Sequence, residues 1–210
     1  MTEQDIVDKV RAILNDLGES ESLTLLSEDT VRLEEYIRSA IPDAVLVVQQ
    51  NSPRLCVNPK SGTATATVVD TATGFVTVAV PSDYVRLVSL KMSAWNRAAV
   101  QSYGYGSEEW KHQQNSVTRS GADNPVVTDG YGGDGKHRLE TYTPDTSKTV
   151  VDSFVYEARY DAGKGLENLT GGDDLASAVC YMTASLVCRY FENRDTAEDL
   201  AKVAMGLVPQ

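Results

Sequence analysis

The most regular pattern of apolar positions lies late in the chain. Residues 175–191 read LASAVCYMTASLVCRYF, with Arg189 as the single charge and no Gly or Pro. Leu175, Val179, Met182 and Leu186 recur at the spacing of one helical face, and Ala176, Cys180, Thr183, Val187 and Tyr190 form a second face beside it. A helix apolar around so much of its circumference has to be covered on several sides, which predicts a central core helix. At roughly 25 Å, with Tyr, Thr, Ser and Arg interspersed, it is too short and too polar to span a bilayer. Asp173 can face the positive end of its dipole, and Asn193 is the residue expected to close it in the left-handed conformation. Asp195 with Glu198 forms a capping-box pattern for a last helix, along which Ala197, Leu200, Ala201, Ala204 and Leu207 make a small-residue stripe.

The opening of the chain is also helical. Thr2 with Asp5 resembles a capping box, Ile6, Val10, Ile13, Leu14 and Leu17 give an amphipathic helix, and Gly18 ends the segment. After a linker at 19–26, a second helix runs from Ser27 to about Ile41, with Leu33, Ile37 and Ala40 on one face before Pro42. Residues 44–49 (AVLVVQ) either continue that helix past the proline or form a buried strand, and the helix is favoured. From Pro53 the period changes. Residues 54–58 form a short strand candidate. The runs 63–69 (TATATVV) and 75–80 (FVTVAV) flank a Gly-containing turn and predict a hairpin. Residues 84–92, 95–100 and 154–160 read as further strands.

These elements predict an α+β fold, in which N- and C-terminal helices, 1–52 and 165–210, form a helical bundle. An antiparallel β-sheet or small β-sandwich is inserted at 53–164. Within the insertion, 101–149 is a long Gly-rich loop holding seven of the 15 glycines, both histidines and Trp110. Nearly fifty residues with so little periodicity are uncommon in a compact monomer. Three readings stay open: disorder of the isolated chain, a short helix at 107–114 among loops, or ordering against another chain. Tyr103, Tyr105 and Trp110 are candidate protein-interface residues, because aromatics are enriched in buried contacts between proteins; packing on their own sheet is the alternative.

Charge narrows the function classes. Thirty acidic and 19 basic side chains give a net charge of −11, which disfavours general nucleic-acid binding and association with anionic membranes. The acidic N-terminus lacks the apolar run of a secretory signal. Three cysteines suit a reducing compartment, and Cys180 and Cys188 lie about 12 Å apart along one helix, too far to bond.

No motif for catalysis, cofactor or metal survives its context. Two histidines and three dispersed cysteines lack zinc spacing. The stretch 129–140 has acids at the first and last positions of a calcium loop, but Tyr131 and Gly133 stand where oxygen ligands belong. Gly130, Gly132 and Gly135 match GxGxxG without a predicted strand before or helix after. A Ser–His–Asp triad would have to draw its histidine, His112 or His137, from the Gly-rich loop, a poor platform for fixed geometry. The chain is expected not to be an enzyme and to hold no cofactor.

The order of parts resembles a known family. The resemblance rests on 13–18 (ILNDLG) closing the first helix, the helix at 30–41, and the late pair 175–189 and 196–205. Residues 80–87 (VPSDYVRL), between them, look like the start of a strand common in virion proteins. With these parts, covering about half its length, the chain resembles the head-to-tail adaptor proteins of tailed bacteriophages, including tail tubular, gatekeeper-type adaptors. The resemblance implies a structural virion protein, assembled in the host bacterial cytoplasm. It would form an oligomeric ring, usually of twelve copies, in the connector between portal protein and downstream tail or neck proteins. DNA passes through such a ring without specific binding, and an acidic wall that repels phosphate suits that passage. The alternatives are a soluble β-sheet binding module for carbohydrate or protein, or a different phage neck or tail component.

Overall fold

A computed structural model describes residues 1–18, 27–133, 135–167, 169 and 172–209; the linker at 19–26 lies outside the described residues. In chain order the elements are α1 (Glu3–Gly18), α2 (Ser27–Asn51), β1 (Lys60–Gly62), β2 (Thr65–Asp70), β3 (Phe75–Ala79), β4 (Tyr84–Met92) and β5 (Ser102–Gly104). There follow α3 (Glu108–Gln114), β6 (Val127–Tyr131), β7 (His137–Tyr142), β8 (Val151–Ala158), α4 (Gly172–Tyr190) and α5 (Arg194–Leu207). The fold is α+β, with helices at both ends of the chain. It divides into two compact units: Met1–Asn58 with Arg159–Gln210, and Pro59–Ala158.

The first unit is helical, and α4 is its centre, packed by α1, α2 and α5. Leu175, Ala178, Val179, Cys180, Ala184, Val187 and Cys188 are all buried, so nearly the whole circumference is covered. Two hydroxyls are accommodated inside: Thr183 Oγ1 donates to the Val179 carbonyl at 2.7 Å, and Ser185 Oγ donates to the Ala197 carbonyl at 2.6 Å, joining α4 to α5. Ala197, Leu200 and Ala204 of α5 are buried. The capping box opens α1 in both directions, with the Thr2 amide donating to Asp5 Oδ2 at 2.8 Å and the Asp5 amide donating to Thr2 Oγ1 at 3.2 Å. Arg38 then ties α2 back to α1 through Glu3 at 2.6 Å.

Helix α2 continues past Pro42 to Asn51. An interior proline costs about 3 kcal/mol in lost hydrogen bonding and crowding. Ile37, Ala40, Ile41, Ala44, Val45 and Val48 nevertheless keep one buried face on both sides of it, and Pro42 itself is exposed. Burial of Val45 and Val48, at about 1.5–3 kcal/mol each, is enough to offset that cost.

Three local expectations are corrected. The left-handed residue between α4 and α5 is Glu192, at φ 60°, and Asn193 instead caps α5 by accepting from the Thr196 amide at 3.4 Å. That cap begins the helix before Asp195, which falls in its first turn. Residues Arg54–Cys56 form a 3-10 turn where a strand was expected. The turn is followed by a bridge from Val57 to Leu169 and by the Asn58 side chain donating to the Glu167 carbonyl, so the helical unit extends to Asn58.

The second unit is a β-sandwich. One sheet is antiparallel, in the order β1-β8-β4, and the other has five strands, in the order β2-β3-β7-β6-β5. The β2–β3 hairpin turns at Gly74, whose φ of +72° and position beside the Thr143 carbonyl leave no room for a Cβ. Leu87, Leu90, Met92, Phe154 and Tyr156 from the first sheet meet Val76, Val78, Val127 and Leu139 from the second in one core, closed by Trp95. Residues 95–100 supply no strand beyond a single bridge from Ala99 to Leu90.

The stretch 101–149 is largely built into this sandwich, contrary to the expectation of a long Gly-rich loop. It contributes β5, α3, β6 and β7, and α3 is capped by Ser107 Oγ accepting from the Trp110 amide. Strands β6 (VTDGY) and β7 (HRLETY) pair antiparallel around the glycines. Their alternation is masked because Asp129, Tyr131 and His137 take positions on the face that carries Val127 and Leu139. Among the described residues, no helix is long and apolar enough to cross a membrane.

Candidate functional site

Strand alternation places Val127, Asp129 and Tyr131 of β6 on the inner face of the five-stranded sheet, and Thr128 and Gly130 on the outer face. Both faces carry polar clusters.

On the inner face Asp129 is a hub. Its Oδ2 accepts from the Tyr84 hydroxyl at 2.7 Å and from Ser102 Oγ at 3.3 Å, while Oδ1 accepts from His137 Nε2. The His137 ring stacks on Tyr131 at 4.8 Å and meets Tyr84 edge-on at 5.0 Å. The four polar groups come from β4, β5, β6 and β7, so the carboxylate joins the two sheets at one end of their core. Asp, His and Ser are therefore neighbours, but Ser102 and His137 bond the same carboxylate instead of one another. Nucleophile activation needs the histidine between serine and acid. The arrangement anchors structure; it does not form the relay of a hydrolase. His112 lies apart, exposed on α3.

On the outer face Tyr105 lies across Gly130, where any Cβ would fall inside its ring. Burial of the hydroxyl, and then its hydrogen bond to Glu140, push the Tyr105 phenol up to about 12. Glu140 is buried and also accepts from Arg138 Nε at 3.1 Å. Of the three interface candidates, Tyr103 is half-buried in β5, Tyr105 is 48% exposed, and Trp110 is half-buried on α3 with its ring 5.7 Å from that of Tyr105. The structure thus brings Tyr105 and Trp110 together, and among the described residues the Trp110 indole nitrogen has no hydrogen-bond acceptor. Arg119, which the sequence did not single out, stacks 3.9 Å above Tyr142 and donates to the carbonyls of Gln113 and Thr73. It forms a wall common to two clefts of about 470 and 320 Å³, of which the smaller is predominantly polar.

The calcium-loop pattern fails on geometry. Asp129 is paired with Leu139 and Glu140 with Thr128, so the two carboxylates point to opposite faces of the hairpin, and each has protein donors. Gly130 of the GxGxxG match sits inside β6 and opens no helix. Among the described residues no group of three or more His, Cys, Asp or Glu side chains is arranged to hold a metal ion.

The fold and these clusters define an α+β protein with a two-part helical unit and an inserted β-sandwich. No protein-family model matches the chain, and no curated protein matches it significantly.

Proposed function

We propose that the chain is a structural subunit of a tailed-bacteriophage head-to-tail connector, forming an oligomeric ring between portal protein and tail. The observation that carries this reading is the interrupted helical unit. α1 and α2 from one end of the chain and α4 and α5 from the other share a single core, with the β-sandwich as a continuous insertion between them. That is the order of parts on which the resemblance to adaptor proteins rests. The distribution of charge supports it. The helical unit carries 19 acidic against 10 basic side chains and the β unit 11 against 9, so nearly all the net charge belongs to the helices. A concentrated negative field of this kind repels phosphate and lets DNA slide.

Electron microscopy of the purified chain, alone and mixed with its cognate portal, tests the reading. Rings with a central channel, seated on the portal, are expected; portals that stay bare at saturating chain contradict it. The clefts beside Arg119 favour a second reading, a β-sandwich module for a polar ligand such as a carbohydrate. Glycan binding that is lost in Arg119→Ala, from a chain that never binds portal, would favour that reading instead.

A further inference from the structure

The β unit presents four strand edges, and natural sheets blunt such edges with charges, bulges or brevity. Both edges of the three-stranded sheet are guarded. β1 has three residues and begins with Lys60. β4 carries Arg86 and Lys91, is interrupted by three register shifts, and has Leu90 bonded in both directions to Ala99. The five-stranded sheet is different. Its outer strand β2 reads TATVVD, with no lysine or proline, its first charge at the last residue, and a single register shift there. Ala66 and Val68 turn partly inward against the core, while Thr65 and Thr67 are exposed. The opposite edge, β5 (SYG), is guarded by its brevity alone: it carries no charge, proline or bulge, and its Gly104 carbonyl accepts from the Ser107 amide at 3.3 Å.

Strand direction shows how two such edges can meet. β2, β3, β7 and β6 alternate in direction, and β5 then runs parallel to β6. β5 therefore points opposite to β2. A second copy set alongside in the same orientation presents its β2 antiparallel to β5, the more stable ladder; an antiparallel β5–β6 pair would have made that junction parallel. We infer that β2 of one copy adds to β5 of the next copy, so that the five-stranded sheets continue from subunit to subunit. The contact is head-to-tail, the type that closes into rings. It rests on the ring reading above and names the surface on which copies meet. Three residues of β5 make a short ladder, so the seam aligns copies that other contacts hold together. Tyr103, in β5, then lies at the seam.

The test joins full-length chains through introduced cysteines. Thr67→Cys is on the exposed side of β2, and at Gly104 a Cβ meets nothing within 4 Å, so Gly104→Cys fits β5. Within one chain these positions are separated by three strands, roughly 19 Å across the sheet. A short bismaleimide cannot bridge that span. Cys56→Ser removes the half-buried native thiol; Cys180 and Cys188 are buried. Mixing the two variants under conditions where light scattering shows oligomers should give cross-linked pairs containing one of each, lost when either cysteine is omitted. Thr67→Lys, which puts a charge on the exposed side of the β2 edge, should sharply weaken the cross-link formed by a Thr65→Cys, Thr67→Lys chain with the Gly104→Cys chain, relative to Thr65→Cys alone. Cross-linking of Thr67→Cys chains to one another would indicate a twofold β2–β2 contact and overturn the inference. Oligomers that form without the mixed cross-link overturn it too and leave the ring reading standing. A chain that stays monomeric at every concentration, with and without portal, overturns both.

Discussion

Replacing Asp129 by Ala tests whether one carboxylate holds the two sheets of the sandwich together. The change removes the acceptor shared by Tyr84, Ser102 and His137. A hydrogen bond to a charged group contributes about 1.5–3 kcal/mol, and a neutral one about 0.5–1.5. The three are unequal. Tyr84 is 3% exposed and its 2.7 Å bond is short, whereas the Ser102 bond is 3.3 Å and the His137 side chain retains 26% of its exposure. Most of the loss therefore comes through Tyr84, and Asp129→Ala should destabilise the β unit by about 3 kcal/mol. Tyr84→Phe, which removes the donor and leaves the carboxylate with its other partners, should cost about 2 kcal/mol. The double variant should cost no more than Asp129→Ala alone, a coupling of about 2 kcal/mol. Urea unfolding followed by tryptophan fluorescence reads this directly, because Trp95 and Trp110 are the chain's two tryptophans and both belong to the β unit. Strict additivity of the two changes, or an Asp129→Ala loss below about 0.5 kcal/mol, would refute the hub.

Other consequences are as specific. Gly74→Ala places a Cβ 2.2 Å from the Thr143 carbonyl at a φ of +72°, and should lower β-unit stability by about 2 kcal/mol or more in the same fluorescence assay. Leu175→Ala empties a fully buried position in α4 and should cost about 2–5 kcal/mol, read from the helical circular dichroism band during urea unfolding. Burial pushes the Cys180 thiol up to about 11 from an ordinary 9.0. Its contribution is complete below pH 9.0 and is lost as pH rises to about 11, because the unfolded thiol ionises first. Cys180→Ala should therefore flatten the alkaline loss of stability across that window, and an unchanged slope would exclude this thiol as a cause. In the native protein, a maleimide should label Cys56 well before Cys180 or Cys188.

Much of the helical unit was legible in the amino-acid pattern because its core is periodic. Leu175, Val179 and Met182 are buried as their spacing predicts, and so are Ala197, Leu200 and Ala204. The reading faltered where a tertiary contact overrides a local signal. Glu192 takes the left-handed position expected of Asn193, which is occupied in capping α5, whereas α2 continues past Pro42 as its apolar spacing favours, carried by burial of Val45 and Val48. The hairpin of β6 and β7 was hidden for another reason. Its inner face ends in a hydrogen-bonded cluster, so Asp129 and His137 read as loop residues although they sit in paired strands. Tyr105 and Trp110 were visible as aromatics in a glycine-rich setting. Arg119 was not, since its importance comes from Tyr142 and Thr73, both distant in sequence.

The most direct test of the connector reading is the mass of the purified 22.8 kDa chain in solution, measured over a wide concentration range and again with its portal. The account predicts a closed multimer of defined copy number, formed by the chain itself or templated by the portal. A species of 22.8 kDa at every concentration, with no association when portal is added, would contradict it.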